Sequence, residues 1–518
     1  MPAIITSGMR IFAAEQFIAS FSDSATNMYV FIGTPCAWPD DNTPPLPVDS
    51  VGILSDCYHD MMALKKVAST DVSLAVPLNT WTTGNVYTQY TDKADLFNPP
   101  LGTPPFYVIT TNMNVYKCMF NNGGVASTVA PTGTALLPFT TNDGYTWKFM
   151  FTVSSSDAVN FMTNLWMPVK TLTSDDGSNQ WTVQQAATPG AIDRVDIITG
   201  GTQYSSSPYV TITGDGVGAT AIVDPSTGLS NGNVIKITVT AGGSGYTWAN
   251  VAITSDSGNG GIGANGATAV AVLSPLTGHG ADPVAELGGR YVIISTKLIY
   301  DENGAFTVGN DFRRIGIVAN PLLFGTTTPA TALDYCQAWS FTFSSVTGGA
   351  FTPDEQVVGL TSGATGYVMD FDSTSNILRL VTTAGTFLAG EQIQNAATTV
   401  TGTLQTIAGT VQNATTNTIQ FASGSSTDGA YTNQTVQITA GPGSGQTRLI
   451  TGYTGSTRTA TINTAWSVTP TSSSSFVVAD IVTPAIQPFS GSILYVENRR
   501  PISRSIDQSE GLKTIMEF

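Results

Sequence analysis

The stretch IDRVDIITGGTQYSSSPYVTIT, beginning at Ile192, is written a second time as VIKITVTAGGSGYTWANVAIT, beginning at Val234. Ile192 aligns with Val234, Gly200 with Gly242, Gly201 with Gly243 and Tyr204 with Tyr246, a spacing of 42 residues. Each copy alternates apolar and polar residues, breaks at Gly-Gly, adds a tyrosine and alternates again. A period of two puts alternate side chains on opposite faces of a strand, which no amphipathic helix does. The pattern predicts a β-hairpin written twice, with the glycines supplying positive φ and the tyrosine covering the hairpin end. A second pair, FTPDEQVVGLTSGATGYV and FLAGEQIQNAATTVTGTL, repeats at 36 residues and aligns Phe351 with Phe387, Glu355 with Glu391 and Gly366 with Gly402. A third β stretch runs from about 410 to 480, where TVQITA and TRLITGY flank GPGSGQ and TATINTAW follows.

Composition agrees with a β-rich chain. Of 518 residues 41% are hydrophobic and only 11% charged, with 52 glycines. That length suggests about three or four domains. Recurrent apolar runs argue against disorder. The balance is acidic, 36 Asp and Glu against 20 Lys and Arg, a formal charge of −16. A surface that tracks phosphates needs clustered Lys and Arg, so no nucleic-acid partner is expected. Four distant cysteines, Cys36, Cys57, Cys118 and Cys336, form no CxxC and read as reduced, mostly buried thiols. The start, MPAIITSGMR, lacks a basic region followed by an apolar run, so no signal peptide is expected. No apolar run of about 18 residues exists to span a membrane.

Helix is expected only near the N-terminus. In RIFAAEQFIASFSD, Ile11, Ala14, Phe17, Ile18 and Phe21 recur at three and four. A second helix, capped by Asp49 or Ser50, is predicted to carry Val51, Leu54, Cys57, Tyr58, Met61 and Leu64, with Lys65 and Lys66 near its C-terminal end. A third, short one begins at SSSD and runs through Val159, Phe161 and Met162. Between 114 and 151 the aromatic runs NVYKCMF and YTWKFMF bracket a Gly, Thr and Pro stretch that is uncharged until Asp143. This reads as strand, ordered crossing, strand.

No constellation points to catalysis. His59 and His279 are the only histidines, and nothing in the sequence brings them together for zinc, although Asp282 and Glu286 follow His279. Alternation in NVYKCMF places Cys118 on a face with Tyr116 and Phe120, which marks it as core rather than nucleophile. GGSGYT and GPGSGQT lack the lysine and helix of a phosphate loop and read as hairpin turns. Asp215 in GDGVG lacks calcium-loop spacing. The pairs Asp40 with Asp41 and Asp175 with Asp176 sit in turn-rich surroundings and read as solvated. No catalytic residue, cofactor or metal is assigned.

Several blocks are long and peculiar. NVYKCMFNNGG, STVAPTGT and FTTNDGYTWKFMFTV resemble a run in the baseplate wedge protein family of T-even-type contractile-tailed bacteriophages. SGMRIFAAEQFIASFSD, YVFIGTPCAWPDDNTPPLPVDS, SPLTGHGADPVAELGGRYVIIST, NDFRRIGIVANP and LYVENRRPISRSIDQSEGLKTIMEF are similar to the same family. The likeness covers about 1–185, 274–345 and 485–518, and 346–480 departs from it. It implies a non-enzymatic virion protein, made in the host cytoplasm and built into the tail baseplate. It further implies a homodimer joined to other wedge proteins, with function residing in interfaces rich in aromatic and Arg anchors.

Together these readings give a mainly β, multidomain chain with a small α+β N-terminal region and a discontinuous core carrying inserted β-sandwich or β-hairpin repeat modules. The expected divisions are 1–185 (wedge core), 186–283 (Gly-Gly hairpin module), 284–345 (core continuation), 346–480 (inserted β modules) and 481–518 (C-terminal segment). The candidate protein–protein interface residues are Trp38, Arg499, Arg500, Arg504, Met516 and Phe518. The inserted modules are expected to face solvent, tail fibres or the host surface. Two alternatives are a spike or fibre-type protein that binds host glycans and a tail-associated polysaccharide-degrading enzyme using a carboxylate pair.

Overall fold

A computed structural model describes residues 4–300, 305–505 and 508–518. It is mainly β, with its few helices concentrated in the N-terminal region. The chain divides into two compact units that interleave in sequence. The first holds Met1–Ala19, Thr70–Ser295 and Lys513–Phe518, and the second holds Ser20–Ser69 and Thr296–Leu512.

The second unit is built on a five-stranded sheet in the order Asp334–Cys336, Met61–Lys66, Met28–Gly33, Asp311–Ala319, Ser492–Ser503, with every pair antiparallel. Met28–Gly33 is buried throughout, and Tyr29, Phe31, Leu64 and Val318 form the core of one face. Here the second predicted helix must be corrected. It is capped by Ser50, whose hydroxyl accepts from Ile53 N at 3.3 Å, but it ends at Asp60. Met61–Lys66 is a central strand. The run MMAL is apolar on consecutive positions, as a strand buried on both faces requires. The three-and-four spacing of Cys57, Met61 and Leu64 is a coincidence across the boundary. The turn is tight: a Cβ on Gly33 would lie 2.6 Å from Asp60 O.

In the first unit Val72–Pro77 pairs with Trp166–Val169 on one side and with residues 291–294 on the other, and a second sheet runs Tyr107–Ile109, Asn114–Phe120, Thr146–Thr152, Phe139–Thr140. Helices Ser7–Ser20 and Ser155–Phe161 lie where expected, and Asn179–Gln185 and Pro283–Leu287 are additional. The aromatic strands pair antiparallel, with Tyr116, Cys118, Tyr145, Trp147 and Phe149 fully buried. Phe120 departs from the expected core face and is 41% exposed, because the register shifts between Cys118 and Phe120.

The Gly-Gly repeat does not make two local hairpins. Ile192–Thr202 pairs with Asn265–Leu273, Tyr209–Gly214 with Ala249–Thr254, and Val217–Ile222 with Thr238–Ser244. The second strands of the two copies therefore pair with each other, related by a pseudo-twofold axis that exchanges the pair Tyr209–Thr254 with the pair Ile212–Val251, while each first strand pairs with the segment that follows the other copy. Gly201 and Gly243 do have positive φ, 66° and 64°, but within strands, where a Cβ would lie 2.4–2.5 Å from the partner backbone. Tyr204 and Tyr246 are core residues rather than end covers. Alternation fixes which face a side chain takes and leaves the partner strand open.

In the 36-residue repeat each copy is a local hairpin, Val357 pairing with Gly366 and Ile393 with Gly402, and the two hairpins then join. Val357 pairs with Asn395 and Gly359 with Ile393, so the copies again meet antiparallel. Their sheet closes on itself where Trp339–Thr347 pairs with Ile377–Ala384, around Phe341, Phe343, Phe351 and Phe387. Glu355 and Glu391 cap equivalent turns, accepting from Thr352 N at 2.7 Å and Leu388 N at 2.5 Å. The third stretch is a closed six-stranded barrel over Thr406–Ala479. There GPGSGQ is a hairpin turn as predicted, joining Thr435–Ala440 to Thr447–Thr454.

Candidate functional site

The densest polar feature of the first unit is buried. Lys117 and Lys148 sit in otherwise apolar strands and oppose each other directly across the pair. Two like charges in that position require counter-charges. Glu286 supplies one. It lies on the short helix Pro283–Leu287, capped by Asp282, which accepts from Ala285 N at 3.1 Å, and ended by Gly288 at φ 76°. Lys117 is fully buried and ion-paired to Glu286 Oε2, with its ammonium 4.8 Å from the centre of the Tyr90 ring. Glu286 Oε1 accepts from Gly280 N at 2.7 Å and Asp282 N at 3.3 Å. Asp193 supplies the second carboxylate, 2.5 Å from His279 Nε2. His279 Nδ1 lies 3.6 Å from Glu286 Oε2, and Tyr90 meets the imidazole edge-on at 4.7 Å.

Burial pushes the Glu286 carboxyl up, but Lys117 and His279 outweigh it and hold its pKa at about 2. Burial pulls Lys148 down to about 8; Glu286 opposes this shift and Lys117 adds to it. The Lys148 ammonium donates to Leu136 O. Glu286 is thus a permanent acceptor that ties the Gly278–Asp282 turn to the aromatic strands. Gly280 has no room for a side chain, since a Cβ would lie 2.5 Å from Val183 Cγ1. A cleft of about 840 Å³ opens beside the cluster, lined by Arg10, Tyr90, Asp95 and Phe97, but the Glu286 side chain at its edge is only 2% exposed. Cys118 is sealed, and burial raises its thiol to about 12, far from a thiolate at neutral pH. Among the described residues, no group of three or more His, Cys, Asp or Glu is placed to hold a metal ion.

The candidate interface residues fall in three places. Trp38 is half-buried, donates from Nε1 to Arg499 O at 2.9 Å and lies under the Arg314 guanidinium at 5.5 Å. Arg500 reaches the same loop, donating to Asn42 O at 3.1 Å, so Trp38, Arg499 and Arg500 are brought together. Arg499 also grips Glu497 with Nε and Nη2 at 2.8 and 3.0 Å. Arg504 is buried, bonded to Glu510 at 2.7 Å and Thr307 O at 2.9 Å, with Nη2 unpartnered. Met516 is buried, and Phe518 packs on Phe17 at 5.2 Å while its main-chain oxygen accepts from Arg10 at 3.2 Å. Local sequence patterns do not join Lys117 and Lys148 to the His279–Glu286 stretch. The signal of the cluster is the pair of lysines inside aromatic strands, which single-strand alternation does not reveal until the register is known. No protein-family profile and no curated protein matches the chain. Among the described residues no helix is long and apolar enough to cross a membrane.

Proposed function

We propose that the chain is a structural virion protein of a contractile phage tail, a baseplate wedge subunit that assembles with other wedge proteins through protein–protein interfaces. One observation carries the reading: how the intervening segments fold. The hairpin module starts and ends in paired strands, Ile192 opposite Leu273, and the second insertion does the same, Phe341 opposite Ile481. Each leaves and rejoins its parent side by side, as an insertion does. The stretches that resemble the wedge family are what remains, and they share a sheet although they are far apart in sequence. Met28–Gly33 and Met61–Lys66 pair into Asp311–Ala319 and Ser492–Ser503. A β scaffold whose buried charges are internally paired and whose modules leave and rejoin it through adjacent paired strands suits assembly better than turnover.

The test is immunogold imaging of intact particles with antibody raised to residues 1–150. Label at the distal end of the tail beside the sheath is the expected result. Label along fibres, at the neck or nowhere on the particle overturns the wedge assignment.

A further inference from the structure

Between the two closed β modules of the second unit lies a cavity of about 180 Å³. One side is apolar and aromatic, with Trp339 half-buried, Phe387 8% exposed and Phe341 only 1% exposed. The other side is polar. Gln437 and Thr447 are direct cross-strand partners, and Val436 and Ile438 fill the barrel interior, so Thr435 and Gln437 turn outward into the cavity. Thr383 comes from the facing module. Among the described residues the side chains of Thr383, Thr435, Gln437 and Thr447 make no hydrogen bond within the chain, and none of the lining residues is charged.

The backbone at Thr383 is also unusual. Val381 pairs with Tyr367 and Ala384 with Thr365, so Thr382 and Thr383 form a bulge opposite Gly366. Thr382 sits at φ 50°, a region β-branched residues rarely occupy, and its hydroxyl is buried without a partner. A Cβ on Gly366 would press on Leu380 and Thr383 at 3.2–3.3 Å, so the bulge is held from the opposite strand. Bulges re-aim side chains beside binding sites, and strain kept by the surrounding fold is a pointer to function.

We infer that this cavity binds one neutral sugar ring, the end or an exposed residue of an uncharged glycan. An aromatic wall takes the C–H face of a pyranose, while hydroxyls and an amide, each both donor and acceptor, meet its hydroxyl groups. The absence of charge in the lining selects against sialylated, phosphorylated or uronic sugars. A planar heteroaromatic ring would stack as well but would leave most of the threonine hydroxyls unused. This inference does not depend on the wedge assignment.

The experiment is saturation-transfer NMR followed by calorimetric titration of the full chain with glucose, galactose, N-acetylglucosamine and their methyl glycosides, with adenine as the competing ring. Saturable binding of at least one sugar is expected. Q437A should weaken it roughly tenfold, the loss of a hydrogen-bonding partner, and W339F should weaken it with an unchanged melting temperature. Three results each overturn the proposal: no sugar binds, a sugar binds with affinity indifferent to both substitutions, or adenine binds in place of sugars. Should W339F melt early, Q437A alone decides, because Gln437 lies on the outer face of its barrel and fills no core.

Discussion

Lys117 and Glu286 are an ion pair with no access to water, and such pairs are costly to break and cheap to replace together. Lys117→Met leaves Glu286 buried without its lysine, with His279 and two backbone amides as its remaining partners, and should cost about 3–5 kcal/mol in urea unfolding. Combining it with Glu286→Leu should recover most of that loss, since both desolvation penalties vanish at once. If the losses simply add, the two side chains do not act as a pair. The same cluster predicts two limbs in the pH profile. The Glu286 pKa is lowered from 4.5 to about 2, so its contribution is complete above 4.5 and is lost as pH falls toward 2, about 3 kcal/mol in all. Lys148 is lowered from 10.5 to about 8, so the folded protein sheds that proton first and stability should rise between pH 8 and 10.5. Lys148→Met should flatten the alkaline limb and leave the acid limb intact. An alkaline rise unchanged in that variant would assign it to another group.

At the scale of elements, the two repeats place glycine where strands must approach closely. At Gly243 a Cβ would lie 2.4 Å from Val217 O and 2.5 Å from Ala219 N, in addition to the positive φ. At Gly363 the φ is similar, 71°, but nothing lies within 4 Å. Gly363→Ala should therefore cost only the left-handed backbone penalty, about 1–2 kcal/mol. Gly243→Ala should cost clearly more, at least about 3 kcal/mol, because the partner backbone must also move. Equal losses in thermal melts would mean that the strands do not meet as closely as described. This contrast also marks what the sequence could and could not reveal. The alternation around Gly243 and Tyr246 specified strands and the need for positive φ, both of which the structure contains. Pairing between copies was invisible, because local and exchanged partners bury the same faces. The helix ending at Asp60 was misplaced for a related reason: Met61 and Leu64 satisfy a helical period and a doubly buried strand equally well. The ionic cluster needed the register of Lys117 against Lys148 and a carboxylate about 170 residues away, which no local pattern encodes.

At the scale of the whole molecule, one side chain closes the base of the second insertion, beside contacts further out such as Asp311 N donating to Asp354 Oδ2 at 3.1 Å and Phe324 packing on Trp339 at 5.8 Å. Gln337 donates from Nε2 to Ile486 O at 2.7 Å and accepts from Ile486 N at 3.0 Å, and Ala485 N bonds to Cys336 O at 3.1 Å. The chain on either side of the insertion is thus already closed, as two strands are at the foot of a hairpin. Beyond this clasp the insertion has its own aromatic cores, one around Phe341, Phe343 and Phe387, the other around Phe421, Tyr453 and Phe476. Both features predict that the insertion and its parent separate cleanly. A chain lacking 340–482, with a short Gly-rich turn in their place, should keep the five-stranded sheet and melt cooperatively, since replacing a long excursion by a short one lowers the closure entropy. Residues 338–483 made alone should also unfold in one cooperative transition by circular dichroism. Gln337→Ala in the shortened chain should lower its melting temperature more than any exposed substitution, because it leaves the amide and carbonyl of buried Ile486 without partners. A shortened chain that is insoluble, or a fragment that melts without cooperativity, would mean that the inserted barrels and their parent share one core. The adjacent entry and exit of the insertion would then be a feature of topology without energetic independence.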